Sequence, residues 1–372
     1  MNVPKRVRNA NIEWMRIIAM YMVVMLHALG KGGLLTNLIG AKTIVPYISW
    51  LLEALCIVAV NVYILISGYV LCFSKFKIQR LIEIIAQVLF YSIGCFVVLV
   101  GANAVNSSWT DTYTLLRSVL PIHMDMYWFV TDYVIVYMLF PFLQKSIQSI
   151  SRRKFEVLLA IMLLFNCVIK SLAPALLTVD GLGYNIAWFL NVFLVGAYIK
   201  RFGLSRSVKP FVFFCIYLLG CLMTFAERFA LEYVYVKTGR LHDLMNVSYD
   251  YNHIFPFIAS VALFLFVISL KEKNNLVSKI GLALSPMSFG VYLLHEHMLV
   301  RYAWVEWLHV TGLADKNPVV FTFAILSCAG IVLIIGIAAD YGRILIFRIL
   351  ANLGRLLHID LQMERINGVI NE

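Results

Sequence analysis

Apolar runs of about twenty residues recur along the whole chain, separated by short polar interruptions. A helix needs roughly 20 apolar residues to cross the hydrocarbon of a bilayer, so each run predicts a membrane span. The runs fall near 12–30, 47–72, 81–101, 126–144, 155–173, 185–199, 210–234, 254–270, 286–308 and 319–347. The expectation is an all-α polytopic membrane protein with about ten transmembrane helices in a single domain over residues 1–372. No interruption is long enough to hold a separate soluble domain. The first run is long and internally charged, with no small-residue cleavage site at its end, which reads as a span rather than a removable signal peptide.

The polar interruptions alternate in charge. One set carries Lys5, Arg6 and Arg8; Lys75, Lys77 and Arg80; Lys145 and Arg152 to Lys154; Lys200, Arg201, Arg206 and Lys209; Lys271, Lys273 and Lys279; and Arg343, Arg348, Arg355 and Arg365. The other set holds far fewer, chiefly Lys31, Lys42, Arg117, Arg228, Lys237, Arg240, Arg301 and Lys316. By the positive-inside rule both termini are expected in the cytoplasm. Composition agrees with the pattern: 62% hydrophobic and 14% charged residues, with a mean hydropathy of +0.85, against about 25% charged in ordinary soluble domains. The net charge of +11 is explained by those loops and implies no nucleic-acid partner. The seven cysteines lie within or beside apolar runs without paired spacing, so neither a disulfide frame nor a metal cluster is expected.

The first run, NIEWMRIIAMYMVVMLHALG, contains Glu13, Arg16 and His27. Ionisable groups at bilayer depth each cost at least a few kcal/mol, so they call for a reason. Eleven helical residues turn through about 1100°, roughly 20° beyond three full turns, so Arg16 and His27 share a face about 16 Å apart. Glu13 is one turn before Arg16 and is placed to pair with it. Elsewhere, His295 and Glu296 fall mid-run in SFGVYLLHEHMLV, where a neutral imidazole beside a carboxylate can act as a proton acceptor or simply staple two helices. Asp132 and Glu53 are further carboxylates that could orient His27. Lys170 and Glu227 sit near run ends, where snorkelling to the interface suffices. Lys77 and Arg80, taken alone, belong to the positive-inside signal, and the aromatics from Tyr127 to Phe129 to an interface belt. The polar stretch from about Tyr235 to His253 is placed to shape an entrance.

Several chemistries are excluded. There is no GxSxG elbow and no GxxxxGK[ST] phosphate loop. His295-Glu296-His297 is not a zinc HExxH pair, because residues two apart on a helix point about 200° apart. No histidine has Asp five positions on, so the HxxxxD pattern of glycerolipid acyltransferases is missing.

The arrangement of Glu13, Arg16 and His27 resembles the opening of the bacterial transmembrane acyltransferases of the acyltransferase-three type, which modify envelope glycans. Further elements follow in that family's order: ILISGYVL with Ser67, KIQR from Lys77 to Arg80, MYWFVTDYVIVYMLFPFL with Trp128, FLVGAYI, and SFGVYLLH ending at His295. Glu13 stands where Asp is common and Lys77 where an arginine is usual; lysine keeps the charge but loses the bidentate fork. The resemblance implies an acyl-CoA donor, usually acetyl-CoA, entering from the cytoplasm, with no permanently bound cofactor. It implies a glycan or lipid-linked glycan hydroxyl as acceptor and a multi-pass place in the bacterial cell membrane; a homo-oligomer is compatible with that expectation. His27 becomes the expected catalytic residue; Arg16, Lys77, Arg80, Ser67 and Trp128 become donor or substrate contacts; Glu13, His295 and Glu296 support them, with no metal. A carrier or flippase for a lipid-linked sugar is the competing expectation, since it would use the same buried charges as a path, though no inverted repeat is visible.

Overall fold

A computed structural model describes residues 8–102, 111–173, 178–204 and 208–355, and among these all regular structure is helical. Lys5, Arg6, Arg206 and Arg365, which contribute to the expected orientation, lie outside the described residues. The chain runs through α1 (Ala10–Lys31), α2 (Val45–Cys56), α3 (Ala59–Leu71), α4 (Ile78–Gly101), α5 (Thr112–Val119), α6 (Trp128–Ser149) and α7 (Arg152–Leu163). A π-helical stretch, Leu164–Ile169, carries α7 into the short α8 (Lys170–Leu172). Then follow α9 (Ile186–Phe202), α10 (Pro210–Thr238), α11 (Ile254–Ser269), α12 (Leu276–Leu284), α13 (Ser288–His295), α14 (Ala303–Trp307) and α15 (Pro318–Arg355).

Eight helical segments among the described residues are long and apolar enough to cross a membrane, not the ten expected. The difference lies in α6 and α9. Both form, but α6 carries Asp132, Gln144, Lys145 and Gln148, and α9 has only 17 residues. α9 is instead buried on nearly every side, from Trp188 to Ile199, as an all-round apolar helix inside a bundle should be. A second difference concerns the run expected at 286–308. The spanning segment is Leu276–His295, and the helix stops at Glu296. Pro286 sits at the start of the turn between α12 and α13, while beyond His295 the chain folds into turns before α14. His295 and Glu296 are therefore at a helix end, not mid-span.

Local chemistry sets the ends of α1. The Asn9 side chain accepts hydrogen bonds from the backbone N–H groups of Asn11 and Ile12, and Glu13 occupies the favourable first turn. At the other end Gly32 and Gly33 release the chain. Helix α1 packs against α2, α3, α11, α12, α13 and α15, so its whole length is an axle of the bundle. At the crossing of α3 and α9 the two backbones come into direct contact. A Cβ on Gly68 would lie 1.9 Å from the Phe193 carbonyl oxygen, and one on Gly196 would lie 2.3 Å from that of Leu65. Small residues let membrane helices meet backbone to backbone, which accounts for the glycines of SGY and FLVGAYI.

Two buried charges elsewhere are paired. Lys170 is not snorkelling; it is 2% exposed and its Nζ lies 2.9 Å from Asp250 Oδ2. Asp340 accepts hydrogen bonds from Gln87, Tyr91 and Arg343 and ties α4 to α15.

Candidate active site

The last turns of α1 and the end of α13 meet at two imidazoles. His27 Nδ1 lies 2.8 Å from His295 Nε2 and 3.1 Å from Glu296 Oε1. Lys31, one turn beyond His27, forms an ion pair with the same carboxylate oxygen. On its far side His295 Nδ1 is 2.6 Å from the Val291 carbonyl oxygen. A carbonyl only accepts, so His295 Nδ1 carries the proton, and in the neutral ring Nε2 then has a lone pair. His27 Nδ1–H accordingly donates to His295 Nε2 and to Glu296, which leaves His27 Nε2 as its free lone pair, a tautomer assigned from the network.

The end of α13 is held open by design of the turn. Arg301 Nη2 donates to the Glu296 carbonyl oxygen at 3.1 Å, a cation capping the helix C-terminus. His297 turns the opposite way from His295, and its Nε2 lies 3.1 Å from the Ser92 carbonyl on α4. The opposed directions expected for residues two apart are realised, and each serves a different neighbour. Glu296 is the carboxylate on His27, in place of Asp132 or Glu53.

His27, His295 and Glu296 offer three ligand-type atoms within 4.8 Å of one another. Ligand atoms around a tetrahedral zinc stand about 3.3 Å apart. The 2.8 Å separation of the two nitrogens is that of a shared proton, and Lys31 already occupies the carboxylate oxygen. The cluster as arranged fits a hydrogen-bond relay better than a cation.

His27 also lines a small internal cavity of about 60 Å³ with Tyr63, Trp128, Phe129, Tyr251 and Tyr292. Trp128, the first residue of α6, packs 4.6 Å from Tyr184 and 5.9 Å from Tyr251, ring centre to ring centre. Tyr251 comes from the polar stretch expected to shape an entrance, and it forms part of this wall. From the cavity an aromatic ladder descends α6 at one-turn spacing: Phe129 stacks on Tyr133 and Tyr133 on Tyr137, each pair 6.4 Å apart. Arg80 closes the ladder. Its Nη2 donates to the Tyr133 hydroxyl at 3.1 Å and its guanidinium lies 5.6 Å from the centre of the Tyr137 ring. The Tyr137 hydroxyl in turn donates to the Lys77 carbonyl oxygen at 3.1 Å.

Arg16 is three turns below His27 on α1. Its carbonyl accepts from the Tyr63 hydroxyl at 2.5 Å, and its Nε is buried with no hydrogen-bond partner among the described residues. The expected Glu13–Arg16 pair is not the one formed. Arg8 folds back onto Glu13, Nη2 to Oε2 at 2.7 Å, and the Ser285 hydroxyl donates to the same carboxylate oxygen at 2.5 Å. Glu13 thus fastens α1 to the α12–α13 turn, and Arg16 acts on it through charge alone. Ser67 donates to the Tyr63 carbonyl at 2.9 Å, a bond within its own helix.

Sequence reasoning missed Lys31, Arg301, Tyr63 and the Tyr133–Tyr137 ladder. Lys31 and Arg301 read as loop charges, and the tyrosines hide in apolar runs. The one-turn spacing of Phe129, Tyr133 and Tyr137 was the signal available.

These residues meet inside a bundle in which eight helical segments among the described residues are long and apolar enough to cross a membrane. The chain matches the family model for an acyltransferase domain, the acyltransferase-three type, over residues 9–339, and it belongs to that family. Neither a curated protein sequence nor a solved structure matches it.

Proposed function

We propose that this chain transfers an acyl group, acetyl from acetyl-CoA, to a hydroxyl of a cell-envelope polysaccharide or of its lipid-linked precursor. It works in the bacterial cell membrane with both termini in the cytoplasm. The observation that carries the reading is the His27 relay: an imidazole whose Nδ1 is held by His295 and Glu296 and which lines an aromatic cavity inside an acyltransferase-family bundle.

A sugar hydroxyl is a weak nucleophile, so a base must take its proton as it attacks the thioester carbonyl. His27 Nε2 takes it. The C–S bond breaks as the ester C–O bond forms, and the proton leaves with the CoA thiolate as free thiol. The imidazolium formed in passing donates from Nδ1 to Glu296, whose charge stabilises it. In the variant of this route His27 Nε2 carries the acyl group between donor and acceptor. Arg16, Lys77 and Arg80 lie on the cytoplasmic side of that base and meet the anionic donor, where guanidinium forks match phosphate geometry. The stacked ring faces between Arg80 and His27 give the slim pantetheine arm an apolar path.

Purified protein in nanodiscs, given acetyl-CoA and an envelope glycan extract, tests the reading. Thiol release coupled to ester formation is expected, and both vanish in His27→Ala. A well-folded His27→Ala protein that still acetylates glycan overturns the role of His27. Acid-quenched protein carrying an acylated His27 peptide selects the carrier variant.

A further inference from the structure

The thioester carbonyl that His27 serves has to lie against its imidazole, so the shape of the small cavity beside His27 decides which acyl group can be brought there. That cavity measures about 60 Å³. A water takes up about 30 Å³ of liquid, so the space holds roughly two groups of that size, a carbonyl and one methyl. Besides the rings already described, its walls are Met20, Val23 and Leu26 of α1, Val60 of α3 and Phe289 of α13.

Two of these walls are stiff. Val23 stands one turn before His27 on the same face of α1, and Val60 lies in the first turn of α3. Both are buried. A valine in a helix keeps essentially one χ1 rotamer, so neither side chain can swing aside as Met20 could. Their backbones are held as well: α1 is the axle of the bundle, and α3 is in backbone contact with α9.

The walls also lack a counter-charge. Among the described residues no lysine or arginine lines the cavity. Lys31 is held by Glu296, and Arg301 donates to the Glu296 and Met126 carbonyls. The Tyr63 hydroxyl donates to the Arg16 carbonyl. A carboxylate brought into such a space would lose its hydration with no cation to replace it.

We infer that this cavity is the acyl pocket, that Val23 and Val60 set the length it accepts, and that it admits short uncharged acyl groups while excluding longer chains and acidic ones such as succinyl. This rests on the acyl-transfer reading of His27 and deepens it by assigning the residues that choose the donor.

The test gives the full chain in nanodiscs acetyl-, butyryl-, isocaproyl- or succinyl-CoA, with the envelope glycan extract as acceptor, and reads kcat/KM for each donor from thiol release. Isocaproyl has the outline of succinyl without its charge. One methylene too many in an apolar pocket costs about 10- to 200-fold, and butyryl carries two more than acetyl, so wild type should favour acetyl over butyryl by about a hundredfold or more. Val23→Ala and Val60→Ala should each lower that preference by about tenfold or more. The preference is a ratio within one preparation, so partial misfolding of a variant cancels. Val24→Ala, at a buried neighbour that does not line the cavity, should leave the ratio unmoved. In the double variant Val23→Ala/Val60→Ala, isocaproyl should gain and succinyl should not, because the added room brings no cation. A wild-type protein that uses butyryl as well as acetyl overturns the inference, since the α6 wall then yields instead. So do valine variants that keep the wild-type ratio, a Val24→Ala protein that shifts it equally, or succinyl gaining alongside isocaproyl. Thiol release from none of the donors, in a folded wild-type protein, overturns the acyl-transfer reading of His27 itself.

Discussion

Replacing His295 with Phe removes the acceptor on His27 Nδ1 while keeping a flat ring between Tyr292 and Trp304. His27 then retains only Glu296 Oε1 at 3.1 Å, an oxygen already shared with Lys31, in place of two acceptors of which the nearer stood at 2.8 Å. The missing bond matters most when His27 has taken a proton, because hydrogen bonds to charged groups contribute about 1.5–3 kcal/mol against roughly 1 for neutral ones. At 1.36 kcal/mol per tenfold, kcat should fall roughly 10- to 150-fold. Loss of the wrong-tautomer safeguard in a full triad costs about 10⁴, an upper limit not reached here because Glu296 still orients the ring. His295→Gln offers a side-chain carbonyl at similar reach and should recover part of the loss. The assay is free thiol release against acetyl-CoA concentration at saturating acceptor, with a thermal melt to show that each variant folds. KM for the donor should stay within threefold. A kcat within twofold of wild type in His295→Phe, or a loss confined to KM, refutes the relay.

Other consequences can be measured independently. Arg16→Ala and Arg80→Ala should each raise the KM for acetyl-CoA about tenfold or more, since each removes a cation expected on the anionic donor; unchanged donor dependence removes them from the site. Arg80→Lys should recover the charge but not the fork that reaches Tyr133, giving partial rescue in the same titration. Gly196→Ala puts a Cβ 2.3 Å from the Leu65 carbonyl oxygen and should destabilise the bundle by about 1–3 kcal/mol, read as a lower melting midpoint in detergent; an unshifted midpoint contradicts the crossing. Asp111 caps α5, and its hydrogen bonds from Thr114 hold its carboxyl below the ordinary value. The cap is therefore at full strength above about pH 3.9 and fades as pH falls through the lower folded value. Amide exchange in α5 should accelerate in Asp111→Ala at neutral pH, and equal rates in the two proteins would discount the cap.

The helical register made His27 and Arg16 legible in the sequence, because three turns of an ideal helix leave little room for error. Partners across the fold were not. Glu296 is 269 positions from His27, and nothing local separates it from Asp132 or Glu53 as the carboxylate to be met. The end of α13 was concealed for a different reason: the MLV that follows His297 continues the apolar run, while the Arg301 contact on the Glu296 carbonyl, only five residues away, forms once the chain has turned. Glu13 was assigned to Arg16 by proximity along one helix, and Arg8 with Ser285 outcompeted it from outside. Span counting reached ten by including α6, which carries Asp132, Gln144, Lys145 and Gln148, and α9, which is apolar because it is buried among neighbouring helices, a use of hydrophobicity that hydropathy alone cannot distinguish from facing lipid. The glycines of α3 and α9 stood in recognisable motifs, yet their purpose appears only when the two backbones are seen to touch.

That contact also fixes which parts of the protein can move. With carbonyl oxygens of each helix lodged where the other's side chains would be, α3 and α9 form one mechanical body, and a slide of either past the other would meet backbone at once. Tyr63 on α3 and the α9 face beneath Phe189 then behave as a rigid jaw. Room for an acyl chain in a cavity of about 60 Å³ has to come from the opposite jaw. That jaw is the start of α6, where Trp128 is held by ring packing on Tyr184 and Tyr251, while the Tyr251 backbone itself is fastened to Asn61 of α3.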